Sequence, residues 1–161
     1  MEERSLSVIR ISVRNLVEFV LRSGDLDNRR TAGAKKEAMQ AGGRLHRKIQ
    51  KRMGSEYRAE VSLKHTVDEE EFKLLVEGRA DGVIEEAAGC VIDEIKCIYM
   101  DLKYLEDADP VHLAQAKCYA YFLACDRELP AMGVQITYCN IESEEVRRFR
   151  FDYSFEELEE W

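Results

Sequence analysis

Residues 71–98 read EFKLLVEGRADGVIEEAAGCVIDEIKCI, and they are the part of the sequence that is most informative about the fold. Two runs rich in residues that suit a pleated surface are joined by a short turn that ends in glycine. The pattern predicts an antiparallel hairpin with strands over 71–85 and 90–98. Gly78 and Gly82 interrupt the first strand, and glycine inside a strand marks a bulge or a close approach of backbone or ligand.

The charged residues of this hairpin predict a chemical site. With period two, Glu77, Arg79 and Asp81 share one side of the first strand, and Glu94 and Lys96 share one side of the second. Two carboxylates and an ammonium group are what metal-assisted phosphodiester cleavage requires, as ligands for a hard ion and as a cation that stabilises negative charge or orients water. The alternative is that these charges form ordinary surface ion pairs on the solvent side of a hairpin.

A helix downstream supplies context. Residues 110–124 begin with proline and continue with small and apolar residues, which is typical of a packed helix. Gln115 and Tyr119 lie one turn apart on one face of it. A buried glutamine needs partners, so Gln115 is expected to face the lysine, a water network or a nucleotide, unless it lies at the edge of the core.

A basic segment lies upstream. Residues 29–52 hold nine lysines and arginines against the single acid Glu37, with apolar residues at helical spacing. The net charge of −8 does not exclude DNA binding, because the acids are concentrated elsewhere in the chain. His46 lies within this cationic helix, where its neutral form is expected and could ligate a metal, although a lone histidine is more often not a ligand. The residues expected to face phosphate groups are Arg44, Arg47, Lys48 and Lys51.

Four segments in this order carry a resemblance to a known family. They are Leu45-His46-Arg47, Gly78-Arg79-Ala80-Asp81, Asp93-Glu94-Ile95-Lys96 and Gln115-x3-Tyr119. The set, spread over roughly 42–141, resembles the PD-(D/E)XK nuclease superfamily, in its RecB-like and CRISPR-associated exonuclease branch. The sequence departs from the family name only in having alanine before the aspartate. The resemblance implies an α/β fold with a restriction-endonuclease-like core, in which a mixed central β-sheet is flanked by helices.

The resemblance also implies roles for individual residues. A divalent ion, Mg²⁺ or Mn²⁺, is expected on His46, Asp81, Glu94 and the backbone carbonyl of Ile95. Lys96 is expected to orient the attacking water or stabilise the transition state. The remaining two, Gln115 and Tyr119, would organise the site or hold the nucleic acid.

The cysteines and the composition limit the remaining choices. Many relatives in this branch hold an iron–sulfur cluster with one cysteine before the nuclease core and three after it. The five cysteines here show neither arrangement, so no cluster is expected. Their odd number and the lack of a signal peptide favour reduced thiols in a cytoplasmic protein.

The length of 161 residues, 45% of them hydrophobic, predicts one domain, and no apolar run is long enough to cross a membrane.

Periodicity predicts the other elements. Ser154 and Glu157 form a capping-box pattern, so a helix is expected to begin close to the last residue, which favours a fragment of a longer chain. The other predicted elements are a helix over 14–21 and strands over 57–67, 132–141 and 145–153.

The opening residues 9–19 resemble the start of bacterial helicases of the XPD/DinG type. Residues 1–161 are therefore expected to be a nuclease domain of a helicase–nuclease chain, a metal-dependent deoxyribonuclease acting on DNA ends or single strands in repair or recombination. One alternative is a catalytically silent DNA-binding module of the same fold. Another is a metal-dependent enzyme on a different phosphoester, which the lack of a glycine-rich phosphate loop disfavours.

Overall fold

Six strands form one mixed sheet with helices packed against it, in a computed structural model that describes residues 5–21 and 32–161. The α/β class and the mixed sheet flanked by helices are thereby confirmed, and the arrangement is consistent with a restriction-endonuclease-like core. In chain order the elements are β1 (Ser7–Ser12), α1 (Val13–Val20), α2 (Ala32–Arg52), β2 (Tyr57–Asp68), β3 (Phe72–Glu86), β4 (Gly89–Ile98), a 3₁₀ turn (Leu102–Tyr104), α3 (Pro110–Arg127), β5 (Ala131–Asn140), β6 (Val146–Ser154) and α4 (Phe155–Glu160).

Strand β3 organises the sheet because three other strands pair with it. β2 pairs antiparallel with one edge of β3 along most of its length. The other edge is shared between β1, which pairs parallel with residues 72–77, and β4, which pairs antiparallel with residues 82–86. The last β3–β4 pair before the strands separate is Gly82 with Asp93. We call the point just beyond this pair, at Asp81 and Glu94, the fork.

The predicted hairpin is confirmed, with one departure from strict alternation. Ala80 and Val83 both lie in the main core although they are three residues apart, so the period of two breaks between them. Before this break, Arg79 and Asp81 both approach Glu60 of β2: Arg79 pairs with it at 3.4 Å, and Asp81 offers a ligand atom within 4.8 Å of it.

The two strand glycines have packing partners. A Cβ at Gly78 would overlap the Tyr119 hydroxyl, and one at Gly82 would overlap the Tyr57 ring. At both positions glycine makes room for a tyrosine side chain, which is a different reason from the bulge or ligand approach that the sequence indicated.

Helices cover both faces of the sheet. Ile92 of β4 belongs to the main core with residues of α1, α3 and α4, whereas Ile95, three residues later, packs with Leu45 and Ile49 of α2. Alternation along a strand places Ile92 and Ile95 on opposite faces, so α2 lies across the sheet from α3. The fork is thus positioned between α2 on one face and α3 on the other.

Local capping explains where the helices begin and end. Asp109 caps α3 by accepting a hydrogen bond from the Val111 amide, and Pro110 follows as expected. The helix ends at Arg127, three residues beyond the predicted end, and Glu128 caps it in the left-handed conformation. The capping box at Ser154 is present as predicted.

Other predicted elements shift or lie partly outside the described residues. The first helix covers Val13–Val20, and the parallel strand β1 before it was not predicted. Residues 29–31 of the predicted basic helix lie outside the described residues. All five cysteines of the sequence lie in the described part of the chain and have free thiols. None of the helices described is long and apolar enough to span a bilayer.

Candidate active site at the fork

Asp81 joins three elements at the fork. Its Oδ2 accepts a hydrogen bond of 2.7 Å from the backbone N–H of Ile95 in β4, and its Oδ1 lies 3.0 Å from Nε2 of His46 in α2. The carboxylate thus accepts from β4 where backbone pairing between β3 and β4 has ended. About a fifth of its side chain is exposed, which leaves it accessible to a ligand.

His46 is brought to Asp81 by the packing of α2. Leu45 and Ile49, on the buried side of the helix, contact Ile95 and Cys139, which fixes the rotation of the helix against the sheet. The hydrogen bond to Asp81 raises the pKa of His46 and outweighs its partial burial. Asp81 thus acts on the pKa of His46 in the direction opposite to the cationic setting from which a neutral histidine was expected.

Glu60 is a site residue that sequence reasoning missed. It lies opposite Asp81 on β2, between the pairs Ala59 with Gly82 and Val61 with Ala80. His46, Glu60 and Asp81 offer ligand atoms within 4.8 Å of one another.

The backbone of Glu60 marks its position as special. Its φ is 56°, in the left-handed region that a glutamate rarely adopts. The Gln50 amide donates to Glu60 Oε1 and to the Asp81 carbonyl oxygen, at 2.9 Å each, which holds the two residues together. No feature of the sequence around Glu60 signals this conformation, since glycine or asparagine would be the usual indicator of a positive φ.

Glu94 is the most deeply buried carboxylate of the site. Its Oε2 lies 3.6 Å from Lys96 Nζ, and its side chain is 5% exposed. Its Oε1 is buried without a hydrogen-bond partner in the part of the chain that the structure describes. Burial, and then the charge of Asp81, raise the pKa of Glu94 to about 8, against the opposing effect of Lys96. A carboxylate oxygen of this kind beside a second carboxylate is suited to coordinating a cation.

Lys96 is oriented from the opposite side by α3. Its Nζ donates a 2.9 Å hydrogen bond to Oε1 of the buried Gln115, in agreement with the expectation that Gln115 faces a polar group. One turn later, Tyr119 is buried with its hydroxyl against Gly78. Burial and the nearby carboxylates, first Glu94, raise the pKa of Tyr119, so its hydroxyl remains protonated.

Both backbone groups of Ile95 bear on the site, although only its carbonyl was expected to do so, as a metal ligand. The contact with Asp81 is made by the N–H group. Because the N–H and C=O groups of one strand residue point to the same edge, the carbonyl of Ile95 also faces the fork.

Asp93, the acid next to Glu94, has a different role. It is fully buried and accepts hydrogen bonds from the side chains of Tyr57, Gln135 and Thr137 at 2.9, 3.2 and 2.6 Å. Burial raises its pKa, and these hydrogen bonds oppose the rise. Asp93 therefore holds β4 in the sheet, whereas Glu94 faces the fork.

The predicted phosphate-facing residues are exposed on α2. Lys48 is engaged by Glu144, at 2.8 and 3.0 Å from the two carboxylate oxygens. Arg44, Arg47 and Lys51 are exposed on the same helix that carries His46. The basic surface and the fork are thus linked through one rigid element.

Comparisons with known proteins establish the fold alone. No protein-family profile matches the chain, and no curated protein matches it. A solved structure titled "Crystal structure of SSO0001" is similar over 90% of this chain and 67% of its own, with a TM-score of 0.59 and 17% sequence identity.

Proposed function

We propose that the chain is a divalent-metal-dependent deoxyribonuclease that acts on DNA ends or single strands, in repair or recombination and coupled to a helicase. The proposal depends on the buried Glu94, which has one oxygen without a hydrogen-bond partner among the described residues and lies in one site with Asp81 and Lys96. A polar atom buried without a partner costs about 1–3 kcal/mol. Its retention beside a second carboxylate supports a function that depends on binding a cation.

The donor set fits a hard divalent ion. Mg²⁺ and Mn²⁺ prefer oxygen ligands, and Asp81, Glu94 and the Ile95 carbonyl provide them. His46 and Glu60 are the further groups that would hold the ion, because their ligand atoms lie within 4.8 Å of that of Asp81. When bound, the ion supplies a Lewis acid for a phosphodiester and lowers the pKa of a coordinated water.

Lys96 is the residue we assign to stabilising charge at the reacting phosphate. Its ammonium group is anchored by Gln115 on one side and attracted by Glu94 on the other, so it is positioned before substrate arrives. A preorganised cation of this kind stabilises developing negative charge without reorganising during the reaction. Its loss should cost several kcal/mol, where each 1.36 kcal/mol is tenfold in rate.

DNA is the substrate that the surface charge favours. Arg44, Arg47 and Lys51 are exposed on α2, and such a row of cations attracts the phosphate backbone independently of sequence. Their placement on the helix that also carries His46 would bring a bound strand to the fork.

Cleavage of end-labelled DNA tests the proposal. Single- and double-stranded substrates are incubated with Mg²⁺, Mn²⁺ or EDTA, using the wild-type chain, Asp81→Asn and Lys96→Met. Asparagine can still accept the Ile95 N–H, so the first variant removes charge while retaining that bond. Matched controls are Asp152→Asn and Lys73→Met, whose side chains are exposed. We expect metal-dependent cleavage that both site variants lose and both controls keep.

Two results would count against the proposal. Cleavage that survives in both site variants would place the reaction elsewhere. A wild-type chain that binds DNA but cleaves it with no metal would favour the catalytically silent DNA-binding module.

A further inference from the structure

Three large apolar side chains are exposed within six residues after β4. Tyr99, Met100 and Tyr104 are 51, 47 and 68% exposed, and we call them the aromatic ledge. Single exposed apolar residues are common on protein surfaces, but a concentrated group marks an interaction site.

The backbone beneath the aromatic ledge is held firmly. The buried side chain of Asn140 donates from Nδ2 to the carbonyl oxygens of Tyr99 and Met100, at 3.2 and 2.9 Å. Leu102, between the ledge residues, is inserted into the main core. The Arg147 guanidinium donates to the carbonyl oxygens of Leu102 and Leu105. The exposed side chains are therefore presented outward by a rigid support.

The aromatic ledge adjoins the fork. Tyr99 follows Lys96 by three residues, and the ledge segment leads into α3, which carries Gln115 and Tyr119. The basic helix α2 reaches the same end of β4, since a Cβ at its Gly42 would lie 3.7 Å from the Cβ of Cys97. The basic helix and the start of the aromatic ledge therefore lie at the same end of β4.

The charges around the aromatic ledge disfavour a phosphate backbone placed directly on it. Asp101, Glu106 and Asp107 are exposed within the same segment and would repel phosphate groups. A duplex presents its phosphates outward, whereas a single strand also offers base faces that stack on aromatic rings. Lys103 lies 5.0 Å from the centre of the Tyr104 ring and covers part of one side of it.

We propose that the aromatic ledge stacks the bases of single-stranded DNA beside the fork, while the exposed cations of α2 hold its phosphates. This rests on the proposed function in that it takes polynucleotide as the substrate. It narrows the substrate from DNA ends or single strands to single strands, including frayed ends.

Binding in EDTA separates this proposal from cleavage. The probe is a fluorescein-labelled 20-nucleotide single strand of mixed sequence, alone or annealed to its complement, measured by anisotropy. One double variant is Tyr99→Ala/Tyr104→Ala, and a second, Tyr99→Phe/Tyr104→Phe, keeps both aromatic rings. Phe19→Ala is a control for the loss of an exposed aromatic ring elsewhere. Thermal unfolding confirms that each variant is folded.

We expect the double Ala variant to bind the single strand at least about tenfold more weakly, as loss of stacking on two bases implies, with duplex affinity changed less than about twofold. The double Phe variant and Phe19→Ala should bind as the wild type does. Unchanged single-strand affinity in the double Ala variant would overturn the proposal and assign the aromatic ledge to a protein partner. Equal losses for single strand and duplex would also overturn it. Selective single-strand binding by a chain that never cleaves would support the ledge and refute the nuclease.

Discussion

Replacing Glu94 by glutamine should make the metal-free chain more stable above neutral pH while it abolishes cleavage. The Glu94 carboxylate is buried, one of its oxygens has no hydrogen-bond partner within residues 5–21 and 32–161, and burial raises its pKa from 4.5 to about 8. The folded state therefore binds a proton that the unfolded state releases. The stability that this proton contributes is fully present below pH 4.5 and is lost as the pH rises through the folded pKa. Glutamine has a similar shape and does not titrate.

The expected magnitude follows from the raised pKa of Glu94. Near pH 4.5 the variant and the wild type should have similar free energies of unfolding, because Glu94 is then protonated in the folded state. By about pH 8.5 the variant should be more stable by a few kcal/mol, because the wild type then buries a charged carboxylate and each unit of the pKa rise corresponds to about 1.4 kcal/mol. The slope between these limits cannot exceed about 1.4 kcal/mol per pH unit for one group.

Urea denaturation in EDTA, followed by circular dichroism at about pH 5 and pH 8.5, measures the difference. Glu142→Gln, at an exposed position, is the matched control and should show no pH-dependent gain. Adding Mg²⁺ at the higher pH should stabilise the wild type more than the variant, since an ion bound only by the folded state adds to its stability. A variant less stable than the wild type at pH 8.5, or a difference that is the same at both pH values, would show that Glu94 does not titrate with a raised pKa.

Three further changes test other contacts. Asp93→Asn should lower the free energy of unfolding by about 1–3 kcal/mol, because its amide group must face one of three donors; an unchanged urea midpoint would contradict this. His46→Ala should weaken metal binding by about tenfold in titration calorimetry with the fold intact, and unchanged affinity would remove His46 from the ligand set. Gly78→Ala should destabilise the chain by about 1–3 kcal/mol through overlap with the Tyr119 hydroxyl, and a thermal-unfolding cycle with Tyr119→Phe should show a smaller cost.

Local patterns made much of the fold and part of the candidate site predictable. The hairpin that carries Asp81 and Glu94 is encoded in adjacent residues, with a turn of two alanines and Gly89 at a φ of 140°. Gln115 stood out because a polar residue in an apolar helix needs a partner, and Lys96 is that partner. In each case the signal lies within the element itself.

What escaped prediction depends on distant partners. Strand β1 has six largely exposed residues and takes its identity from parallel pairing with β3, where Ser7 meets Phe72. The positive φ of Glu60 has no local signal in the sequence, and the raised pKa of His46 depends on Asp81, which is remote from His46 in sequence. The periodicity of a single sequence carries no information about contacts between residues that are distant in the chain.

The three partners of β3 also imply an order of assembly. Its pairings with β2 and β4 close short connections, whereas β1 must return across the whole intervening chain to reach the same strand. Closing a short loop costs less conformational entropy, so we expect the β2–β3–β4 meander to form first during folding and β1 to join later. Glu60, Asp81 and Glu94 all lie on that meander. During synthesis, the acidic groups of the fork would thus meet before α3 is complete and Gln115 can reach Lys96, so that the carboxylates are assembled first and the lysine is oriented last.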